Sequence, residues 1–225
     1  MTERPENDAA KDVGRFSDAY LVALLAGDEV AAELAIREAK DASLTIAEID
    51  HSVIAPAMWV IGELWERGEL SVAEEHLASE ITVRVLALQR EAGRVARQRR
   101  GRRVLLATPA GELHVIALRM VSNLLREAGY DVVMLGADLP PQALGRAAGL
   151  HRADVVALST TMPGGADELV IAMYEVQQQR PQATFLVGGR GLTSRVQPGP
   201  GVQICERVPE AVEAVDALVQ RAALN

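Results

Sequence analysis

Apolar residues recur every three to four positions from Phe16 to about residue 98, and beyond that the rhythm changes to short apolar runs alternating with helical stretches. In the first region "SDAYLVALLAGD" and "EVAAELAIREAKDA" each carry one apolar face and predict two helices. Thr45 and Glu48 form a T-x-x-E capping box that opens a third helix, running to about Gly68. Pro56 inside that stretch predicts a kink or a boundary. Ser71 and Glu74 form another box and start a long fourth helix. Short connections between four helices predict a four-helix bundle over residues 16–98. The polar stretch ahead of it predicts a disordered tail over residues 1–15.

The stretch "RQRRGRR", Arg97 to Arg103, breaks the helical pattern. It reads as a solvated linker, placed at residues 99–103, with arginines favoured near a helix C-terminus. From residue 104 to 225 strand and helix alternate. "RVLLATPA", "YDVVMLG", "ADVVALSTT" and "ATFLVGG" are continuous apolar strands, "VQICE" is a weak edge strand, and helical segments separate them. That alternation predicts a flavodoxin-like, Rossmann-type sheet of five parallel strands in the order 2-1-3-4-5. The fold class is therefore α plus α/β, a helical cap followed by a doubly wound domain. Ligands of such sheets bind past the C-terminal strand ends, at the loops after strands one, three and four.

Composition narrows the function. Aromatic residues make up only 3% of the 225 positions, so Ala, Leu and Val must build most of the core. A net charge of −8 counts against nucleic acid as a direct partner. The single cysteine, Cys205, excludes an internal disulfide and reads as a small apolar filler. No apolar run is long enough to span a bilayer and no leader-like segment opens the chain, so a soluble cytoplasmic protein is expected. No dinucleotide fingerprint, P-loop, paired metal ligands or Ser-His-Asp order stands out, and a binding protein is expected more than an enzyme. His51 and His151 have no partners in pattern and read as surface or boundary residues.

The strand ends carry the candidate chemistry. After the first strand, Glu112 and His114 sit where a loop becomes a helix. The histidine is placed to ligate a metal, and the acid to hold its second nitrogen. After the third strand come Ser159, Thr160 and Thr161, small hydroxyls that admit close approach. After the fourth come Gly188 and Gly189. Each of these alone fits an ordinary strand end as well. In order, behind a helical cap, they resemble cobalamin-binding modules, which carry D-x-H-x-x-G, S-x-L or S-x-T, and GG at these three places. The resemblance covers residues 16 to 225. It implies that His114 is the lower axial ligand of cobalt and that Ser159, Thr161, Gly188 and Gly189 line the displaced nucleotide tail. Glu112 stands where the family has Asp, and Ala117 where it has the final Gly.

In the helical region Trp65 is followed, after nine residues, by Glu75 and His76, and Val72 lies between them. This W-x9-E-H pattern resembles CarH-type light sensors. The resemblance implies that adenosylcobalamin sits between cap and sheet domain, with Trp65, Val72, Glu75 and His76 around the adenosyl group. It also implies that light cleaves the cobalt–carbon bond and changes conformation or oligomeric state. In that family a histidine commonly follows the tryptophan and takes the vacated upper face. Here the residue is Glu66, leaving His76 or water for that position. Photocobilins, a related group, hold a bilin beside the cobalamin. No stretch identifies a bilin pocket, and Cys205 lies far from the cap in sequence, so a bilin here would be noncovalent. CarH-type proteins carry an upstream DNA-binding domain, and none is expected in the short polar stretch ahead of Phe16. Output is thus expected through a homo-oligomer, a downstream protein partner or a further domain, with no direct nucleic-acid or membrane contact. The alternative reading is a corrinoid protein carrying methylcobalamin for a methyltransferase system. A mutase subunit would need a substrate barrel.

Overall fold

The computed structural model describes residues 6–92 and 99–223. The chain divides into two compact units, Met1–Arg94 and Val95–Asn225.

The first unit is helical: α1 (Glu6–Leu25), α2 (Glu29–Asp41), α3 (Ile46–Ile49), a π-helical turn at Asp50–Ile54, α4 (Ala55–Glu66) and α5 (Val72–Ala92). The expected tail through residue 15 is corrected, because α1 already runs from Glu6. Residues 1–5 lie outside the described residues. A helix anchored by buried Phe16 and Tyr20 propagates back through Gly14, at a cost of about 1 kcal/mol relative to Ala, into Glu6 to Val13, where no further Gly or Pro interrupts it. Both predicted capping boxes form. Thr45 Oγ1 accepts from Glu48 N while Glu48 accepts from Thr45 N, and Ser71 pairs with Glu74 in the same way. The boundary expected at Pro56 is the π-helical turn just before it. Proline follows it as the second residue of α4, and the widened turn, in which Ala55 N–H reaches back to Asp50 O, accommodates the ring and the missing N–H without ending the helix. Phe16, Tyr20, Ile36, Ile49, Ile54, Ile61 and Leu86 build the core, and Tyr20 Oη donates to buried Thr82 Oγ1 at 3.0 Å.

The second unit alternates strand and helix: β1 (Arg103–Pro109), α6 (Ile116–Glu127), β2 (Asp131–Leu139), α7 (Pro141–Leu150), β3 (Val155–Ser159), α8 (Gly165–Gln179), β4 (Thr184–Gly188), β5 (Val202–Cys205) and α9 (Ala211–Ala223). All strand pairs are parallel, in the order β2-β1-β3-β4-β5. Alternate residues of β1 feed opposite faces. Leu105 and Ala107 pack with Leu144, Leu169 and Val176 of α7 and α8, whereas Val104 and Leu106 pack with Leu118, Leu125, Val215 and Leu218 of α6 and α9. No described helix is long and apolar enough to cross a membrane.

The arginine stretch is not a free linker. Arg100 pairs with Asp216 and lies over the Tyr130 ring, 5.0 Å from its centroid. Arg102 reaches Asp154 at 3.3 Å, and Arg103 pairs with Asp131 at 2.6 Å while donating to the His151 carbonyl. Arg97 lies outside the described residues. These cations find acids 28 to 116 positions away in sequence, which local pattern cannot reveal. Burial and the bond to Asp216 push the Tyr130 phenol up to about 12.

Helices α7 and α8 meet closely because Gly145 has no side chain. A Cβ there would lie 2.6 Å from the Glu175 carbonyl oxygen. Gly145→Ala is expected to destabilise the second unit by about 1–3 kcal/mol, read as a lowered urea midpoint with an unchanged slope. An unshifted midpoint would mean that the helices separate at no cost.

Candidate functional site

The loop after β1 is built around a buried acid. Glu112 is only 2% exposed. Its Oε1 accepts from the His114 backbone N–H at 2.9 Å and from His114 Nδ1 at 2.5 Å. Its Oε2 accepts from Thr161 N at 2.5 Å, Met162 N at 3.1 Å and Thr160 Oγ1 at 3.3 Å. Burial pushes this carboxyl up, but the bonds from Thr161, His114 and Met162 override it and hold the group below its ordinary range. An ionised carboxylate can only accept, so His114 Nδ1 carries the proton. In the tautomer that this bond selects, Nε2 carries the lone pair. The His114 side chain is 49% exposed, so a ligand can reach that nitrogen. The longer Glu at the position where cobalamin-binding modules have Asp thus spans from the histidine to the backbone beyond β3.

Ser159, the buried last residue of β3, stands opposite Gly188 of β4. Beyond it, fully buried Thr160 links three loops. Its N–H donates to Gly188 O at 3.1 Å, its carbonyl accepts from Gly191 N at 2.9 Å, and its hydroxyl meets Glu112. Glycines surround it: a Cβ on Gly189 or Gly165 would overlap Thr160 atoms, and one on Gly191 would lie 2.5 Å from Met162 O. Gly189 also has φ +101°. The Gly188-Gly189 pair therefore lets the β4 loop close on the end of β3.

Hydrogen bonds and strand pairing join Glu112, His114, Ser159, Thr160, Thr161, Gly188 and Gly189 into one assembly at the C-terminal ends of β1, β3 and β4. Ala117 is exposed on the first turn of α6. The sequence pattern alone gives no role to Thr108 or Asp138. Thr108 donates to Glu112 O at 2.5 Å and Asp138 accepts from Gly111 N at 2.7 Å, so both grip the same loop. A polar residue between the apolar run of β2 and the Pro-Pro that follows is the signal that marks Asp138.

The other candidates lie together within the helical unit. Trp65 closes α4, and Val72, Glu75 and His76 open α5. Gly68, at φ +72°, ends α4: its N–H reaches Trp65 O and Glu69 N reaches Leu64 O, the paired bonds of a Schellman turn. Glu74 is used in the capping box. Glu75 instead accepts from Ser79 Oγ at 2.8 Å and faces His76 Nδ1 at 3.1 Å. His76 Nδ1 lies 2.7 Å from the Val72 carbonyl, an acceptor, so it too is the protonated nitrogen and Nε2 keeps the lone pair. Phe16, Tyr20 and Phe185 are buried, yet both tryptophans of the chain, Trp59 and Trp65, are exposed on α4, at 54% and 38%. Trp59 Nε1 donates to Glu63 at 2.9 Å. Glu66 is exposed beside Trp65.

Residues 102–216 match the family model described as a B12 binding domain, and residues 17–88 match another of the same description. The HTH-type transcriptional repressor CarH of Myxococcus xanthus is 29% identical over 204 residues, covering 89% of this chain, which spans 65% of the length of that relative. The dimethylamine corrinoid protein 2 of Methanosarcina acetivorans is 30% identical over 164 residues, covering 71% of this chain and 74% of its own. In fold, the monomethylamine corrinoid protein of Methanosarcina barkeri superposes with a TM-score of 0.76 at 17% identity, over 92% of this chain and 99% of that one. With a match over more than half its length and a buried acid holding an accessible histidine at the end of β1, the chain belongs to the B12-binding family.

Proposed function

We propose that the chain is a cobalamin-dependent light sensor rather than an enzyme. His114 is the lower axial ligand, and the observation that carries the reading is its Nδ1–H bond to buried Glu112. That bond fixes the tautomer and leaves Nε2 basic on an accessible side chain. Among the described residues no group of three or more His, Cys, Asp or Glu is placed to hold a bare metal ion. One histidine suits a cobalt whose equatorial donors all come with its own macrocycle. Ser159, Thr161, Gly188 and Gly189 flank the nucleotide tail.

The helical unit favours the adenosyl form. Trp65 presents an exposed indole, and Val72 an exposed apolar side chain, beside Glu75 and His76. The indole and valine shield an adenosyl group from water, and the Glu75 carboxylate accepts from its hydroxyl or amino groups. Adenosylcobalamin supplies a cobalt–carbon bond that visible light breaks. Loss of the adenosyl group removes what Trp65 covers, and the signal passes to a homo-oligomer or a downstream partner. Similarity to the CarH repressor supports this reading.

Two observations favour a second reading, a carrier of methylcobalamin. Glu66 follows Trp65 where the light sensors commonly have a histidine, and the dimethylamine corrinoid protein is as similar as the repressor. One set of samples separates the two. The protein is loaded with adenosylcobalamin in the dark, then lit with green light, with absorption spectra and size-exclusion profiles taken in both states. A light-induced spectral change and a shifted elution volume are expected. An unchanged spectrum in protein shown to hold the adenosyl form sinks the sensor. Demethylation of a bound methyl form by a thiol or amine acceptor establishes the carrier.

A further inference from the structure

The loop that carries His114 is held from the neighbouring strand by a residue in an unusual conformation. The β1–β2 register slips twice, between Leu106 and Ala107 and between Ala107 and Pro109, and Gly136 has φ +100°. Such bulges re-aim side chains near sites. Here the outcome is Asp138 at φ +56°, in the left-handed region that few residues other than Gly, Asn and Asp enter. Its Oδ1 accepts from Gly111 N at 2.7 Å. Its own N–H is shared between Glu112 O and Thr108 Oγ1, both at 3.1 Å. Buried Thr108 in turn donates to Glu112 O at 2.5 Å. Two side chains therefore fix the backbone of Glu112 on both sides, while its carboxylate fixes His114.

We propose that Asp138, with Thr108, is a positioning residue for the cobalt ligand: it sets the height and direction of His114 by clamping the Gly111–Glu112 backbone. The proposal rests on the cobalamin reading above. Asp138 touches neither cobalt nor His114 and acts through Glu112. A loop held only by the Glu112 side chain would let the histidine ring swing with it. With the main chain also pinned, Nε2 stands in place before the corrinoid arrives, and less ordering is left to be done on binding.

The test uses cobinamide, a corrinoid without the nucleotide tail, so that an axial nitrogen can come only from the protein. In its cobalt(II) form, bound to the full chain, it should show nitrogen splitting in the electron paramagnetic resonance spectrum. His114→Ala should abolish that splitting. Asp138→Asn keeps an acceptor and tolerates the left-handed backbone, and is expected to retain both splitting and affinity. Asp138→Gly keeps the backbone and removes the acceptor. It should lose most of the splitting and bind about tenfold more weakly, the range for a lost outer-shell partner. Thr108→Val, nearly the same size, should do likewise and carries the test if the glycine variant fails to fold by circular dichroism. Wild-type splitting and affinity in Asp138→Gly, or in Thr108→Val where the glycine variant does not fold, overturn the proposal while leaving the cofactor reading intact. Absence of splitting in the wild-type protein overturns both.

Discussion

Replacing His114 with alanine is expected to remove the protein's cobalt ligand and weaken corrinoid binding by on the order of 100-fold, the top of the range for loss of an outer-shell partner. The reason lies in how much of the second unit is organised toward this one ring. Five bonds converge on the Glu112 carboxylate, two from His114 and three from Thr160, Thr161 and Met162. Alanine keeps the backbone N–H, so the loop survives and the fold is retained. The loss should therefore appear in binding and in the spectrum, not in the unfolding midpoint. Added imidazole should partly restore a nitrogen-ligated spectrum, since the side chain it replaces is half exposed. Glu112→Gln should behave differently. A side-chain amide turned either way faces one set of N–H donors with its own NH2, leaving buried groups unmade at about 1–3 kcal/mol each. That variant is expected to lose stability and affinity together. Equal affinity and identical spectra for His114→Ala and wild type would end the assignment of His114 as the cobalt ligand.

The sheet was readable in the sequence because its central strands, β1, β3 and β4, are buried on both faces and so are largely apolar: every residue of β3, "VVALS", is buried. The capping boxes were readable because they are local, closed within three residues. What escaped was long-range or featureless. The first turns of α1 carry little apolar periodicity, so they read as a tail. Arg100 and Arg103 read as solvated because their partners lie on other elements, 116 and 28 positions away. The site divides along the same line. Glu112, His114 and the two glycines were singled out by their place at strand ends and by an order that resembles a family, and periodicity would not have marked them. Thr108 and Asp138 were missed, and Thr160 was read only as a small hydroxyl at a strand end, because the Thr108–Asp138 and Thr160–Glu112 contacts join residues 30 and 48 positions apart and form only once β1, β2 and β3 are side by side.

Gly189→Ala is expected to destabilise the second unit by roughly 2–6 kcal/mol, combining an unfavourable φ of +101° with overpacking. The added methyl would overlap the Thr160 carbonyl oxygen and lie 2.8 Å from its carbon. Thr160 has little room to yield, because its N–H is bonded to Gly188 O and its carbonyl to Gly191 N. Gly188→Ala is the control. Its Cβ would meet Cys205 O at 2.9 Å, and its φ is ordinary, so a smaller cost follows. Against a total stability of about 5–15 kcal/mol the first variant is severe and the second tolerable. The comparison also decides what the glycine pair is for. If the pair serves only to admit the nucleotide tail, Gly189→Ala weakens cobalamin binding and leaves cobinamide untouched. If it serves to seat Thr160 against Glu112, the displaced hydroxyl and the displaced Thr161 and Met162 amides loosen the carboxylate that holds His114. Cobinamide binding then falls as well, although that ligand has no tail to clash. The contacts around Thr160 favour the second outcome. A Gly189→Ala protein with wild-type stability and wild-type cobinamide affinity would show that β4 and β3 separate freely there.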